Sequence, residues 1–126
     1  MTFFCPDCKT PNSLIISASI ELPPDAWWDE LTLQIVECRQ CGLGALGVYQ
    51  ESRRGALDSE VFHHSAYRME TQDMAKVREL INRCPAPHHI RCTCEIHQEL
   101  AGQDAAGHWN ALGALLQNGA FELRQN

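Results

Sequence analysis

Three stretches in the first half of the chain have the pattern of β-strands: apolar and polar residues alternate over part of the first two, and the third is rich in glycine and small residues. The stretches run from Ser13 to Leu22, from Leu31 to Glu37 and from Leu43 to Tyr49. Pro23-Pro24-Asp25 interrupts the chain after the first, and Ser52-Arg53-Arg54-Gly55 follows the third. We therefore predict three antiparallel strands in this half.

A helical repeat of apolar residues lies in the second half, between Thr71 and Arg83. Thr71 is the predicted N-cap, and Pro85 ends the helix because proline cannot continue it. The residues predicted to face the core are Met74, Val77, Leu80 and Ile81.

Four further elements are predicted around this helix. They are a strand over Val61–Met69, a short helix over Glu95–Ala101, a helix from Asp104 to about Asn118 that buries Trp109, Leu112, Leu115 and Leu116, and a last strand over Ala120–Arg124. The charge balance shifts near residue 60, with 4 basic and 9 acidic side chains before it and 6 and 7 after it.

Four of the seven cysteines form two pairs, Cys5-Pro6-Asp7-Cys8 and Cys38-Arg39-Gln40-Cys41, with 29 residues between them. A two-residue gap allows both sulfurs of a tight turn to face one ion, and two such turns complete a tetrahedral zinc site. Gly42, directly after the second pair, is expected to have a positive φ. Lys9 and Arg39 are either ordinary surface charges or cations that offset the negative charge of the thiolates.

The other three cysteines, Cys84, Cys92 and Cys94, lie close together in the second half. His97 follows Cys94 by three positions and completes a Cys3His set for a second zinc ion, although His88 or His89 is an alternative nitrogen ligand. The other interpretation is a core of small residues with incidental histidines. An odd number of cysteines argues against a disulfide framework.

The cysteine pairs and the strands together predict an α+β protein. A three-stranded antiparallel zinc ribbon occupies residues 1–60, and a helical half with the second zinc site occupies residues 61–126 and packs on the ribbon.

Net charge and hydropathy restrict the function. The 126 residues include 16 acidic and 10 basic side chains, so the formal net charge is −6, which disfavours binding to a phosphate backbone. Apolar runs are too short to cross a membrane, and no secretory signal is recognisable at Met1-Thr2-Phe3-Phe4, so a cytoplasmic location is expected.

The segments Phe4-Cys5-Pro6-Asp7-Cys8 and Cys38-Arg39-Gln40-Cys41-Gly42 resemble those of bacterial zinc ribbons with paired knuckles. The Cys-Pro-x-Cys opening and Cys-x-x-Cys-Gly close look like a CpXC-type domain, and the spacing is similar to the N-terminal zinc domain of MqsA-like antitoxins. The resemblance covers residues 4–50 and implies a zinc ribbon there.

Closed four-ligand sites predict a structural zinc protein that acts as a protein-interaction or regulatory module. Trp27 and Trp28 then either form a contact loop or cover a thin core. A nucleic-acid-binding ribbon is the first alternative, with a basic patch formed by Lys9, Arg39, Arg53 and Arg54. A small zinc- or thiol-dependent enzyme is the second, because the second cluster would have an open position for water if His97 did not bind.

Overall fold

The computed structural model describes residues 2–24, 29–52, 61–107, 111–112 and 119–124. Its strands and helices are, in chain order, β1 (Thr2–Phe3), β2 (Leu14–Leu22), β3 (Asp29–Cys38), β4 (Gly44–Ser52), β5 (Val61–Arg68), α1 (Thr71–Arg83), α2 (Glu95–Leu100) and β6 (Ala120–Glu122).

The six strands form one antiparallel sheet in which spatial order follows sequence order. The sheet curls into a half-barrel, so that its two ends meet: the Phe4 N–H donates to the Arg124 carbonyl oxygen at 2.8 Å. The ring of Phe3 on β1 also contacts that of His64 on β5, with centroids 5.3 Å apart. The register between β2 and β3 shifts between Ile16 and Ala18, and such an irregularity bends a strand locally.

The face enclosed by the curl carries a small apolar cluster at the end of the barrel where β1 and β6 meet. Its buried members are Phe3, Cys5, Leu14, Val36, Cys38, Ala45, Ala66 and Leu123. Ala45 and Ala66 in the middle strands are small, which suits a face where curled strands bring their inward side chains together. Gly47 illustrates how little room is left, since a Cβ added there would lie 2.9 Å from Gln34 Oε1.

The opposite face of the sheet packs against the two helices and forms the larger core. Its buried residues are Ile20, Leu22, Leu31, Leu33, Ile35, Leu46, Val48, Met74, Val77, Ile81, Cys84, Ile96 and Leu100. The helix α1 has the predicted bounds and the predicted inward face, with Leu80 half-buried beside that core. Its N-cap is Glu70 rather than Thr71, without a side-chain hydrogen bond.

The predicted fold class, an α+β protein with an N-terminal three-stranded antiparallel zinc ribbon followed by a helical half, is wrong. β5 pairs with β4 along its whole length and β6 pairs with β5, so a single sheet continues from the first half of the chain into the second. Alternation predicts a strand at 61–69, but it does not show which strand lies beside it. The described part of the second half contains only two short helices, α1 and α2.

Several predicted features lie partly or wholly outside the described residues. They are the Trp27–Trp28 contact loop, Arg53 and Arg54 of the basic patch, and positions 108–110 and 113–118 of the last predicted helix. Residues 104–107 of that helix form a turn instead, in which the Asp104 side chain accepts from the Ala106 N–H at 2.9 Å. No helix in the described ranges is long and apolar enough to span a membrane.

Candidate metal centres

The sulfurs of Cys5, Cys8, Cys38 and Cys41 lie within 4.8 Å of one another and form the first cluster. The Cys5 and Cys41 sulfurs are 3.7 Å apart, as are those of Cys8 and Cys38. Cys5 and Cys38 are buried, whereas Cys41 is exposed. The cluster therefore lies at the edge of the smaller core, with part of its surface facing solvent.

Two turns with the same backbone hydrogen bonds hold these sulfurs. In the first, the Cys5 N–H donates to the Thr10 carbonyl at 3.2 Å and the Lys9 N–H donates to the Cys5 carbonyl at 3.0 Å. In the second, the equivalent bonds join Cys38 to Leu43 at 2.9 Å and Gly42 to Cys38 at 3.2 Å.

The residue that follows the second cysteine has a positive φ in both turns. The values are 59° for Lys9 and 79° for Gly42. The expectation for Gly42 is thus confirmed, whereas no residue pattern predicts that Lys9 has the same conformation. The two turns are local copies of one structure.

The sheet brings the two turns together. One turn connects β1 to β2, the other connects β3 to β4, and β2 pairs with both β1 and β3. Ser13 lies at the junction, where it is buried: its carbonyl accepts from the Arg39 N–H at 2.9 Å and its hydroxyl is 3.4 Å from the Cys38 sulfur.

The thiols of the first cluster differ sharply in acidity. Burial raises the pKa of Cys5 to about 12. Burial also disfavours the Cys38 thiolate, but the hydrogen bond with the Ser13 hydroxyl and those from the backbone N–H groups of Cys41 and Gln40 outweigh it and lower the pKa of Cys38 to about 6. A buried thiolate without a cation is costly, so this set of donors suits a metal ion.

Arg68, on β5, provides a cation beside the first cluster that sequence analysis did not identify. Its guanidinium donates to the Asp7 carboxylate at 2.5 Å and to the Gly119 carbonyl at 2.9 Å, and it lies over the ring of Phe121. The Arg68 hydrogen bond lowers the pKa of Asp7, while Asp7, and to a smaller extent Cys5, raise that of Arg68. The first turn is thereby fixed to the far end of the sheet.

The second cluster consists of the ligand atoms of Cys84, Cys92, Cys94 and His97, which also lie within 4.8 Å of one another. The Cys84 sulfur is 3.8 Å from that of Cys92 and 3.6 Å from that of Cys94. His97 Nδ1 lies 3.0 Å from the Cys84 sulfur and 3.5 Å from the Cys94 sulfur.

The two helices place three of these four residues. Cys84 is the C-cap of α1, and Cys94 is the N-cap of α2, where its sulfur accepts from the His97 N–H at 3.3 Å. That bond lowers the pKa of Cys94 to about 6, whereas burial raises the pKa of Cys84 to about 11. The pattern of one acidic thiol and one buried, protonated thiol is the same as in the first cluster.

A backbone carbonyl determines which nitrogen of His97 faces the sulfurs. The imidazole is 1% exposed, and its Nε2–H donates to the Glu21 carbonyl on β2 at 2.9 Å. Nδ1 therefore has a lone pair directed at the cluster, an arrangement typical of a metal-binding histidine.

His88 and His89, the alternative ligands, lie outside the cluster and are exposed. His88 Nδ1 is 3.7 Å from a Glu21 carboxylate oxygen, and His89 Nδ1 accepts from the Arg91 N–H at 3.2 Å. The structure thus brings together the eight residues that the cysteine spacing selected, with His97 as the histidine.

Both clusters are geometrically able to hold a metal ion. Each contributes four ligand atoms from thiol or imidazole groups. Sequence analysis missed the groups around them, namely Arg68 and Asp7 at the first cluster and the Glu21 carbonyl at the second. These contacts join residues far apart in the chain and have no spacing motif.

Comparison of the chain with protein-family models, curated proteins and solved structures finds no match. The cysteine clusters therefore indicate metal-binding knuckles, while no family match identifies a particular type of zinc ribbon.

Proposed function

We propose that the protein binds two structural zinc ions, one at each cluster, and that it acts as a protein-interaction module. The observation that supports the proposal most strongly is the grouping of the cysteines and His97. All seven cysteines and one buried histidine fall into two groups of four ligand atoms. Four soft ligands around one point are the usual set for a structural zinc ion.

The composition of each cluster favours a structural role over a catalytic one. A catalytic zinc ion keeps a position for water, whereas a set of four protein ligands fills a tetrahedral shell. Metal bound at the first cluster would join the β1–β2 turn to the β3–β4 turn. Metal bound at the second would join the end of α1 to the start of α2 and, through His97, to Glu21 on β2.

Zinc analysis of the purified chain tests this proposal. Protein expressed without added metal should contain two zinc ions per chain, because each cluster has its own four ligands. Cys38→Ser should retain one ion and melt at a lower temperature, since the first centre stabilises the end of the sheet. Measurements are elemental zinc content and a thermal melt.

Cys38→Ser has a matched control in Ser65→Ala, a change of similar size on β5 outside both clusters. The control should keep both ions. A Cys38→Ser chain with two zinc ions and an unchanged melting curve would contradict the proposal.

A further inference from the structure

The loop Pro85–Arg91, which we call the 85–91 loop, is an exposed part of the second metal centre. Ile90 at its tip is 44% exposed, and no other large hydrophobic side chain in the described ranges is classed as exposed. His88, His89 and Arg91 beside it are exposed as well. An exposed apolar side chain beside exposed hydrogen-bond donors marks a candidate contact site.

The second cluster and a backbone hydrogen bond to β2 connect the 85–91 loop to the rest of the fold. Cys84 and Cys92 of the second cluster flank it directly. Within it, the Pro87 carbonyl accepts from the Glu21 N–H at 2.7 Å, and the Ala86 carbonyl accepts from the His89 N–H at 3.1 Å. A loop ordered in advance loses little conformational entropy on binding, which favours affinity.

The side chains of the loop present hydrogen-bond donors. The Arg91 N–H donates to His89 Nδ1, so the proton of that imidazole is on Nε2, which has no partner among the residues described. The Arg91 guanidinium likewise has no carboxylate partner there, although Arg68, Arg78 and Arg124 each have one. The chain has no acidic residue between Glu79 and Glu95.

We propose that the 85–91 loop is a docking surface for an acidic segment of a partner protein. Carboxylates of the partner accept hydrogen bonds from Arg91 and His89 at the surface of the loop. An apolar side chain packs on Ile90 in an open depression of about 410 Å³, which Glu21 also lines. This inference rests on the proposed function, because metal at Cys84 and Cys92 fixes the ends of the loop.

An acidic peptide fits these groups better than a nucleic acid does. Carboxylates complement the unpaired donors, and Ile90 offers an apolar contact that a phosphate backbone cannot use. A long polyanion would meet the net charge of −6 over more of the surface than a short acidic segment does. The loop also contains no Phe, Tyr or Trp side chain, the larger rings on which bases stack.

Selection from a displayed library of random dodecapeptides on the zinc-loaded full chain tests the proposal. Recovered peptides should combine Asp or Glu with an apolar residue. Their dissociation constants, measured by fluorescence anisotropy, should rise at least about tenfold for Arg91→Glu and for Ile90→Ser. Lys76→Glu, the same charge change on the exposed face of α1, should alter them by less than about twofold.

Zinc content, measured on every variant, separates the two proposals. A wild-type chain with two zinc ions that selects no loop-dependent peptide overturns the docking proposal alone. Equal effects of Lys76→Glu and Arg91→Glu, or displacement of the peptide by a single-stranded oligonucleotide that binds more tightly, also overturn it. A chain purified with no zinc at the second cluster overturns the proposed function and the docking proposal together.

Discussion

A single backbone carbonyl oxygen orients the His97 imidazole for metal binding. Because Nε2–H donates to Glu21, Nδ1 faces the Cys84 sulfur at 3.0 Å without a proton of its own. Burial of the ring keeps water from competing for this nitrogen. The histidine thus joins the second centre to β2, which no spacing rule within residues 84–97 predicts.

Replacing His97 tests its role as the fourth ligand. We expect His97→Ala to lower zinc content from two ions to one, or to leave the second ion so weakly held that a mild chelator removes it. The first ion should remain. His89→Ala is the control, since it removes an imidazole that lies outside both clusters. Full retention of the second ion by His97→Ala would show that another group completes the site.

The two knuckle turns offer a second test at single residues. Gly42 has a φ of 79°, and a Cβ there would have no atom within 4 Å, so Gly42→Ala adds backbone strain without a clash. A left-handed conformation costs a residue with a side chain roughly 1–2 kcal/mol, and we expect a loss of that size. Lys9→Gly, at φ 59° in the other turn, should not destabilise by as much.

Urea titration of the zinc-loaded chains gives both free energies of unfolding. Equal losses from Gly42→Ala and Lys9→Gly would contradict the equivalence of the two turns, because one change introduces the strain and the other removes it.

At the scale of elements, α1 contributes Met74, Val77 and Ile81 to the larger core. Ile81 is 3% exposed on its inner face, and Lys76 is exposed on its outer face. Ile81→Ala should lower the free energy of unfolding by about 2–5 kcal/mol, against less than about 0.5 kcal/mol for Lys76→Ala. Urea titration measures both, and similar losses would mean that the inward face has been misidentified.

Local patterns in the sequence account for most elements of this fold. The bounds of α1 follow from its apolar repeat and from Pro85, and β2 to β5 lie close to their predicted positions. Cysteine spacing likewise selects the residues that form each cluster, because ligands in one tight turn are neighbours in sequence.

The sequence does not predict which strands pair when they are far apart in the chain. β5 was predicted as a strand, but its addition to β4, and that of β6 to β5, depends on contacts across the chain. The Asp7–Arg68 ion pair could not be predicted for the same reason, because its members are 61 positions apart in the sequence. Alternation identifies the inward face of a strand and leaves its neighbours undetermined.

For the whole molecule, metal binding should be linked to proton release. Thiolates, not thiols, bind zinc, and burial raises the pKa of Cys5 to about 12 and that of Cys84 to about 11. Each site must therefore lose at least about one proton when it binds zinc at neutral pH, so zinc affinity should fall as pH falls.

Calorimetric titration of the metal-free chain with zinc, in buffers of different ionisation enthalpy, measures the number of protons released. Affinities that do not change between mildly acidic and neutral pH would show that thiols are not the ligands.

X-ray absorption spectroscopy at the zinc edge tests the central claim, two closed zinc sites, most directly. Seven sulfurs and one nitrogen shared by two ions give an average shell of 3.5 sulfurs and 0.5 nitrogens per zinc. Sulfur should lie at about 2.3 Å and nitrogen at about 2.0 Å. That shell in the purified chain is the predicted result. A shell dominated by oxygen, or one with fewer than about three sulfurs per zinc, would contradict the account.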